Sequence, residues 1–363
     1  MVSGLRRRDC VGRLQPIAAE RGGVETVSNS DRPGALVISL DFELHWGIRD
    51  HVSRDDSAYG RLAEERRAVQ DLISVFAARR IRATWATVGF LFASTWDELS
   101  PHLPAIRPGY QRSELDPYGE PVGPDEDHDP EHLAGSLVDL IAASPGQEVA
   151  SHTFSHYYCL ERDQNEATFR ADLAAAQSVA RGRGLIVSSL VFPRNQWNPA
   201  YTGAVLDLGF RCIRGNQRSW AHRPAPGGGH RRQRVARLAD TYVGLTPPPT
   251  TAWSEVVLPS GLCDVPASAF LRPYSTRRRQ LEPLRRARLR SGLRYAARAG
   301  RIFHLWWHPY NFARNRNENL SLLEHVLDDF DDLSRTEGIE TLTMSDVSDG
   351  VTQGEAAETG GGR

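Results

Sequence analysis

Short apolar runs alternate with segments of helical periodicity along most of this chain, and this alternation restricts the folds open to it. The run at residues 35–40 ends in polar residues, residues 62–80 have helical periodicity, and a second apolar run follows at 81–86. Such alternation predicts parallel βαβ units. About seven units fit, which favours an α/β protein built as a distorted (β/α)7-type barrel. No G-x-G-x-x-G follows the first strand, so a dinucleotide-binding fold has no support.

The same pattern divides the chain into three parts. Residues 1–33 are polar and aperiodic, which predicts a flexible N-terminal extension. Residues 34–348 form one predicted barrel domain. Within it, residues 215–275 break the rhythm and are interpreted as an insertion or loop region over one face. The Gly-rich tail, residues 349–363, is predicted to be disordered.

Composition narrows the function classes. Hydrophobic residues make up 40% and charged residues 25% of the 363 positions, typical of a globular protein. The formal net charge of −1 favours neither nucleic acid nor an anionic membrane as a partner. No apolar run reaches the length of a signal peptide or a membrane span, so we expect a cytoplasmic protein. No C-x-x-C pair occurs among the four cysteines, Cys10, Cys159, Cys212 and Cys263.

Two acidic residues follow the first predicted strand. Asp41 and Glu43 are two positions apart, so on an extended backbone their side chains point the same way. Two carboxylates on one side repel each other unless a cation or a shared proton lies between them. The simpler alternative is a solvated strand end.

A histidine pair follows another predicted strand. His152 and His156 are four residues apart, a spacing that lets both face the same way on one helical turn and bind one metal ion. In isolation, such a pair is more often hydrogen-bonded at a protein surface. Its position directly after an apolar strand favours the metal interpretation.

Two further strand ends carry candidate catalytic groups. Arg194 could orient a carboxylate through its planar guanidinium, although it could instead pack on Trp197. His308 lies at a strand end and is a better candidate than His304, although a buried, hydrogen-bonded histidine is an equal alternative. A carboxylate with two histidines leaves coordination positions open for water and a substrate carbonyl. Together these residues indicate a metal-dependent hydrolase.

At these motifs the sequence resembles the polysaccharide deacetylase family (NodB homology, similar to carbohydrate esterase family 4) from about residue 35 to residue 347. Asp41-Phe42-Glu43 is similar to a branch of the family with D-x-E in its first motif. The resemblance implies that Asp41 is the catalytic base and Glu43 a metal ligand. Phe42 stands where the commoner pattern has its second Asp, so Asp41 as metal ligand remains the alternative assignment.

The resemblance also implies roles for the other motifs. His152 and His156 would complete the metal site, Arg194 would hold Asp41 in place, and His308 would be the general acid. The divalent ion would polarise the acyl carbonyl and activate water; zinc suits the donor set best, with Co²⁺, Ni²⁺ or Mn²⁺ also compatible. The family's fourth motif, an Asp and a Trp that line the pocket, has no clear match.

The substrate implied by the resemblance is an N-acetylated sugar or glycan precursor. The candidate substrate-binding residues lie beside the catalytic positions: Trp46, Trp306, Trp307, Tyr310 and Asn195. For the aromatic residues, packing in the barrel core or rim is the commoner alternative.

Two other functions remain open, and a third is disfavoured. The same site could hydrolyse a cyclic ureide, an imide or another non-sugar amide. The missing fourth motif leaves room for an inactive glycan-binding member of the fold. Nucleic-acid binding is disfavoured, because Glu282 interrupts the basic stretch at 277–298 and the overall charge is near zero. The pattern does not predict an oligomeric state.

Overall fold

The computed structural model describes residues 32–50, 62–218, 231–243 and 249–360. Almost all of the predicted extension, residues 1–33, therefore lies outside the described residues. The strands are β1 (Ala35–Phe42), β2 (Ala83–Thr87), β3 (Gln147–Ser151), β4 (Ser189–Val191), β5 (Cys212–Arg214), β6 (Thr251–Ala252), β7 (Cys263–Asp264), β8 (Ala269–Phe270), β9 (Arg301–Trp307) and β10 (Glu340–Leu342). The helices are α1 (Leu62–Arg79), α2 (Trp96–Leu99), α3 (Gly135–Ala143), α4 (Glu166–Gly182), α5 (Thr202–Asp207), α6 (Arg231–Val243), α7 (Glu282–Ala299), α8 (Tyr310–Ala313), α9 (Arg316–Glu337) and α10 (Met344–Gly360).

The sheet is almost entirely parallel. Its order is β6-β9-β1-β2-β3-β4-β5-β7, with β10 paired to β1 and β8 paired to β9. Among the strands of the described residues, only the short β6 runs antiparallel to its neighbour. Because the strands are parallel, their carboxyl ends gather at one edge of the sheet, where α/β barrels carry their chemistry.

One short segment joins the two sides of the sheet. On one side Val265 donates its backbone N–H to Ile213, which lies in β5. On the other side Ser268 donates to His304, which lies in β9. The sheet thus curls into a ring of seven positions, β1 to β5, the β7–β8 segment and β9. The predicted seven-unit barrel is confirmed.

Residues 215–275 are more than an insertion. The segment contributes β7 and β8, which pair with β5 and β9, and so it supplies one of the seven ring positions. The interpretation of this range as loops over one face is therefore wrong where β7 and β8 lie. Strands of two residues are too short to show hydrophobic periodicity. They can be recognised only by the strands with which they pair.

Strand β1 shows how sequence alternation separates the two faces. Its even-numbered residues are all apolar, and Leu36 and Phe42 pack in the cluster between sheet and helices. Its odd-numbered residues end in Ser39 and Asp41, which are buried on the inner face. Because side chains alternate along a strand, Asp41 points to the inner face like Ser39. The carboxyl end of β1 therefore places a carboxylate inside the barrel.

Helix α10 packs against the opposite, amino-terminal end of the ring. Met344 and Val347 lie in an inner apolar cluster with Val37. Ser345 donates its backbone N–H to the partly buried Glu148 carboxylate at 3.1 Å. The helix continues to Gly360, and the disorder expected from residue 349 stays a prediction.

No helix among the described residues is both long enough and apolar enough to cross a lipid bilayer.

Candidate active site

Three candidate metal ligands from two strand ends converge. The ligand atoms of Glu43, His152 and His156 all lie within 4.8 Å of one another. Glu43 Oε2 lies 2.9 Å from His156 Nε2 and 3.3 Å from His152 Nε2. None of the three residues is more than 3% exposed. One carboxylate oxygen and two imidazole nitrogens therefore face a common point at the carboxyl ends of β1 and β3.

The spacing of His152 and His156 suggested that both lie on one helical turn, but the chain between them is not helical. The chain bends after β3, with Thr153 and His156 at φ of 62° and 56°. Left-handed conformations are uncommon for residues with a side chain and need support from the surroundings. Here the support comes from Asp172 on α4, whose carboxylate accepts a hydrogen bond from the Phe154 backbone N–H at 2.7 Å and further ones from Ser155. A buried carboxylate, not helical geometry, shapes the loop.

The orientation of the two rings suits a divalent metal ion. His152 donates through Nδ1 to the Val191 carbonyl oxygen at 2.9 Å, which leaves its Nε2 lone pair facing Glu43. That Nε2 is buried and has no hydrogen-bond partner among the described residues. Burial lowers the pKa of His156 to about 3, more than the nearby Glu43 raises it, so the ring is neutral at neutral pH. Neutral imidazoles and a carboxylate are the donors that zinc and similar ions prefer.

Asp41 is held by Arg214, not by Arg194. Arg214 donates to the two Asp41 carboxylate oxygens at 2.6 and 2.7 Å. Burial raises the pKa of Asp41, but Arg214 and then His152 lower it more, so it lies below its usual value. The carboxylate is therefore ionised at neutral pH, the state required of a base.

Arg194 lies at the rim, so its assigned contact with Asp41 is wrong. Its guanidinium pairs with Asp50 and lies 4.2 Å from the centre of the Tyr158 ring. The reason lies in the turn after β4, where Arg194 and Asn195 both adopt φ of 54°. This turn directs Asn195 inward, where its side-chain oxygen accepts a hydrogen bond from Arg214 at 3.2 Å.

A sequence signal for Arg214 was present. It follows the apolar pair Cys212-Ile213 at the carboxyl end of β5, the position that marked the other candidates. The strand is only three residues long. Because the chain contains many arginines, the sequence alone does not distinguish Arg214 from the others. Its complete burial with two hydrogen bonds to one carboxylate is visible only in the fold.

His308 lies next to both acidic residues. Its Nε2 is 3.4 Å from Glu43 Oε1 and 3.7 Å from Asp41 Oδ2, and its side chain is 18% exposed. Tyr310 stacks on the imidazole, with ring centres 4.6 Å apart. The His308 Nδ1 is buried and has no hydrogen-bond partner among the described residues.

The aromatic candidates separate into two groups. Trp306 and Tyr310 are partly exposed beside His308, where a substrate could reach them. Trp46 and Trp307 are completely buried, so their assignment to substrate binding is wrong. Trp46 packs on Phe90, and Trp307 faces the helices because side chains alternate along β9.

A buried hydrogen-bond chain extends from Arg214 into the barrel. Arg214 donates to Ser39 Oγ at 2.9 Å, and Ser39 donates to His304 Nε2 at 2.8 Å. His304 Nδ1 in turn donates to the Val265 carbonyl oxygen at 2.9 Å. His304 is therefore a structural support of the Asp41–Arg214 pair.

Neither family models nor the curated protein sequences match this chain. Solved structures do. A polysaccharide deacetylase from Mycobacterium smegmatis aligns over 94% of this chain and 95% of its own, with 12% sequence identity and a TM-score of 0.57. A polysaccharide deacetylase from Pseudomonas aeruginosa PAO1 aligns over 89% and 92%, with 11% identity and a TM-score of 0.53. At these identities the likeness concerns the fold, and the resemblance suggested by the motifs is confirmed at that level: this chain has the fold of the polysaccharide deacetylases.

Proposed function

We propose that this protein is a metal-dependent hydrolase that removes an N-acetyl or related amide-linked acyl group from a carbohydrate or glycan precursor. The observation that carries the proposal is the convergence of Glu43, His152 and His156 beside a separate, ionised Asp41. A metal-binding set with a second carboxylate next to it is the minimum needed to activate water and accept its proton.

Each residue has a role that follows from its position. Glu43, His152 and His156 would hold the ion, and their donor set suits zinc best; the bound ion would supply Lewis-acid polarisation of the acyl carbonyl. Asp41, kept ionised by Arg214, accepts the proton of the attacking water. His308, across from Asp41, donates a proton to the departing amine, which leaves poorly as an anion.

The surroundings of His308 favour a sugar substrate. Trp306 and Tyr310 flank its imidazole and are both partly exposed. Aromatic faces of this kind offer apolar area to the C–H side of a sugar ring. Both solved structures described above are assigned as polysaccharide deacetylases, which supports a glycan over a non-sugar amide.

The test combines metal content with product release. Purified protein, stripped with a chelator and reloaded with Zn²⁺ or Co²⁺, is incubated with N-acetylated oligosaccharides, and released acetate is measured. His152→Ala should lose the active-site ion and the activity together. His325→Ala, a partly exposed histidine on α9, is the matched control and should retain both.

Three results would contradict the proposal. Acetate release that survives His152→Ala would show that the activity does not come from this site. Ring opening of allantoin without acetate release would support the cyclic-ureide alternative. Saccharide binding without turnover in metal-loaded protein would support an inactive glycan-binding member of the fold.

A further inference from the structure

A second cluster of metal-binding residue types lies next to the candidate active site without sharing any of its residues. The ligand atoms of His45, Glu120 and His132 all lie within 4.8 Å of one another. His45 follows β1 in a short turn, whereas Glu120 and His132 belong to the long connection between α2 and α3. His45 and His132 are no more than 3% exposed, and the Glu120 side chain is 26% exposed.

His132 is held as a metal ligand would be. Its Nδ1 lies 2.6 Å from Asp129 Oδ1, and the other Asp129 oxygen accepts a hydrogen bond from the Gly123 N–H at 2.6 Å. A carboxylate bound in this way fixes the proton on Nδ1 and makes Nε2 a stronger donor of its lone pair, the arrangement commonly found behind metal-bound histidines. His132 Nε2 is buried and has no hydrogen-bond partner among the described residues. A buried nitrogen left in that state destabilises the fold, and a bound ion would accept its lone pair.

The other two groups complete the set. The His45 and His132 ring centres are 4.4 Å apart, and His45 Nε2 is 3.6 Å from Glu120 Oε1. We propose that His45, His132 and Glu120 bind a second divalent transition-metal ion, with Asp129 as the carboxylate behind His132. Two imidazoles and a carboxylate suit Zn²⁺ or Co²⁺. Glu120, partly exposed, forms the side by which an ion enters.

The position of the cluster gives the ion a structural role. The His45 N–H donates to the Glu131 carbonyl oxygen at 3.3 Å, and Trp46 Nε1 donates to the His132 carbonyl oxygen at 3.1 Å. These bonds join the turn after Glu43 to the long connection before α3. An ion at the cluster adds a third link between the same two segments and stabilises the loop that carries Glu43.

The test counts ions in the full-length protein. Chelator-stripped protein is titrated with Zn²⁺ by calorimetry, and bound metal per chain is measured by elemental analysis. The wild type should bind two equivalents. A double variant, His152→Ala with His156→Ala, should keep one, and His132→Ala should also keep one.

His128→Ala is the matched control. His128 also pairs with a carboxylate, Asp125, at 2.6 Å through Nδ1, but its side chain is 72% exposed and belongs to neither cluster. This variant should bind two equivalents. Glu120→Gln guards against misfolding, because it changes one partly exposed atom; it should weaken the second equivalent by roughly 10-fold or more.

The outcomes separate this site from the proposed activity. An ion that remains in the His152/His156 double variant and is lost when His132→Ala is added establishes the second site, whether or not the enzyme is active. A natively folded double variant that binds no ion overturns it. So does a second equivalent whose affinity is unchanged in both Glu120→Gln and His132→Ala.

Discussion

Arg214 and Asp41 form a paired contact in which two guanidinium nitrogens meet two carboxylate oxygens at 2.6 and 2.7 Å, with both side chains buried. This geometry is among the strongest that an arginine makes with a carboxylate. It fixes the orientation of Asp41 and opposes the effect of burial on its charge. Because Asp41 is the proposed base, the pair connects barrel packing directly to catalysis.

Replacing Arg214 should change the pH profile. In Arg214→Gln, burial would act on Asp41 without its main counter-charge, so the pKa of Asp41 would rise and the acid limb of kcat/KM would move to higher pH. Arg194→Gln should leave that limb in place, because Arg194 pairs with Asp50. A shift in the Arg194 variant alone would restore the assignment made from the sequence.

The division of labour between the two acidic residues is tested by amide substitutions. Asp41→Asn should retain the active-site ion and lose about 10²–10⁴-fold in turnover, the range expected for a general base. Glu43→Gln should lose that ion, because Glu43 lies within 3.3 Å of both histidines. The reverse pattern of metal binding, measured by elemental analysis, would make Asp41 the ligand.

His308 should be needed for turnover and not for metal binding. His308→Ala should keep the ion held by Glu43 and the two histidines, while kcat falls by about 10²–10⁴-fold as the proton donor is lost. Substrates with a better leaving group should be less affected, since they need less protonation. A variant that turns over amide substrates at the wild-type rate would rule out His308 as the acid.

Asp172 should act on the metal site through the loop that it holds. Each Asp172 oxygen accepts a backbone N–H, so Asp172→Asn would place its amide NH2 against the N–H of Phe154 or of Ser155 and so loosen the turn that positions His156. Metal affinity should fall about 10–100-fold, as is usual when a supporting residue is changed. Asp139→Asn, an exposed carboxylate on α3, is the control. Equal affinities in the two variants would show that the turn holds its shape without Asp172.

His304 should make stability depend on pH. Burial, and then Arg214, lower its pKa to about 3, so the folded protein resists protonation of this ring and the unfolded chain does not. Its contribution is complete above pH of about 6.5 and is lost as pH falls toward 3. The difference in unfolding free energy across that range should be on the order of 3–5 kcal/mol smaller in His304→Asn. Denaturant titrations at several pH values measure it, and parallel curves for the two proteins would contradict it.

The family resemblance and the barrel followed from features that lie close together in the sequence. Alternation along β1 predicts both the apolar outer face and the inward Asp41, and the H-x-x-x-H spacing singles out His152 and His156. Apolar periodicity works over such distances because each long strand or helix must bury one face whatever its partners are. The order of strands and helices then limited the fold to a barrel.

Tertiary structure decided what depends on contacts distant in the chain. Arg214 meets Asp41 across 173 positions, and no local pattern favours it over Arg194. Whether Trp306 and Trp307 face the site or the helices depends on strand register, since a shift of one residue exchanges the two faces. The closure of the ring likewise depends on the pairing of β7 with β5 and of β8 with β9. The sequence by itself determined which residue types reach the carboxyl ends of the strands, and the packed barrel decided which of them meet.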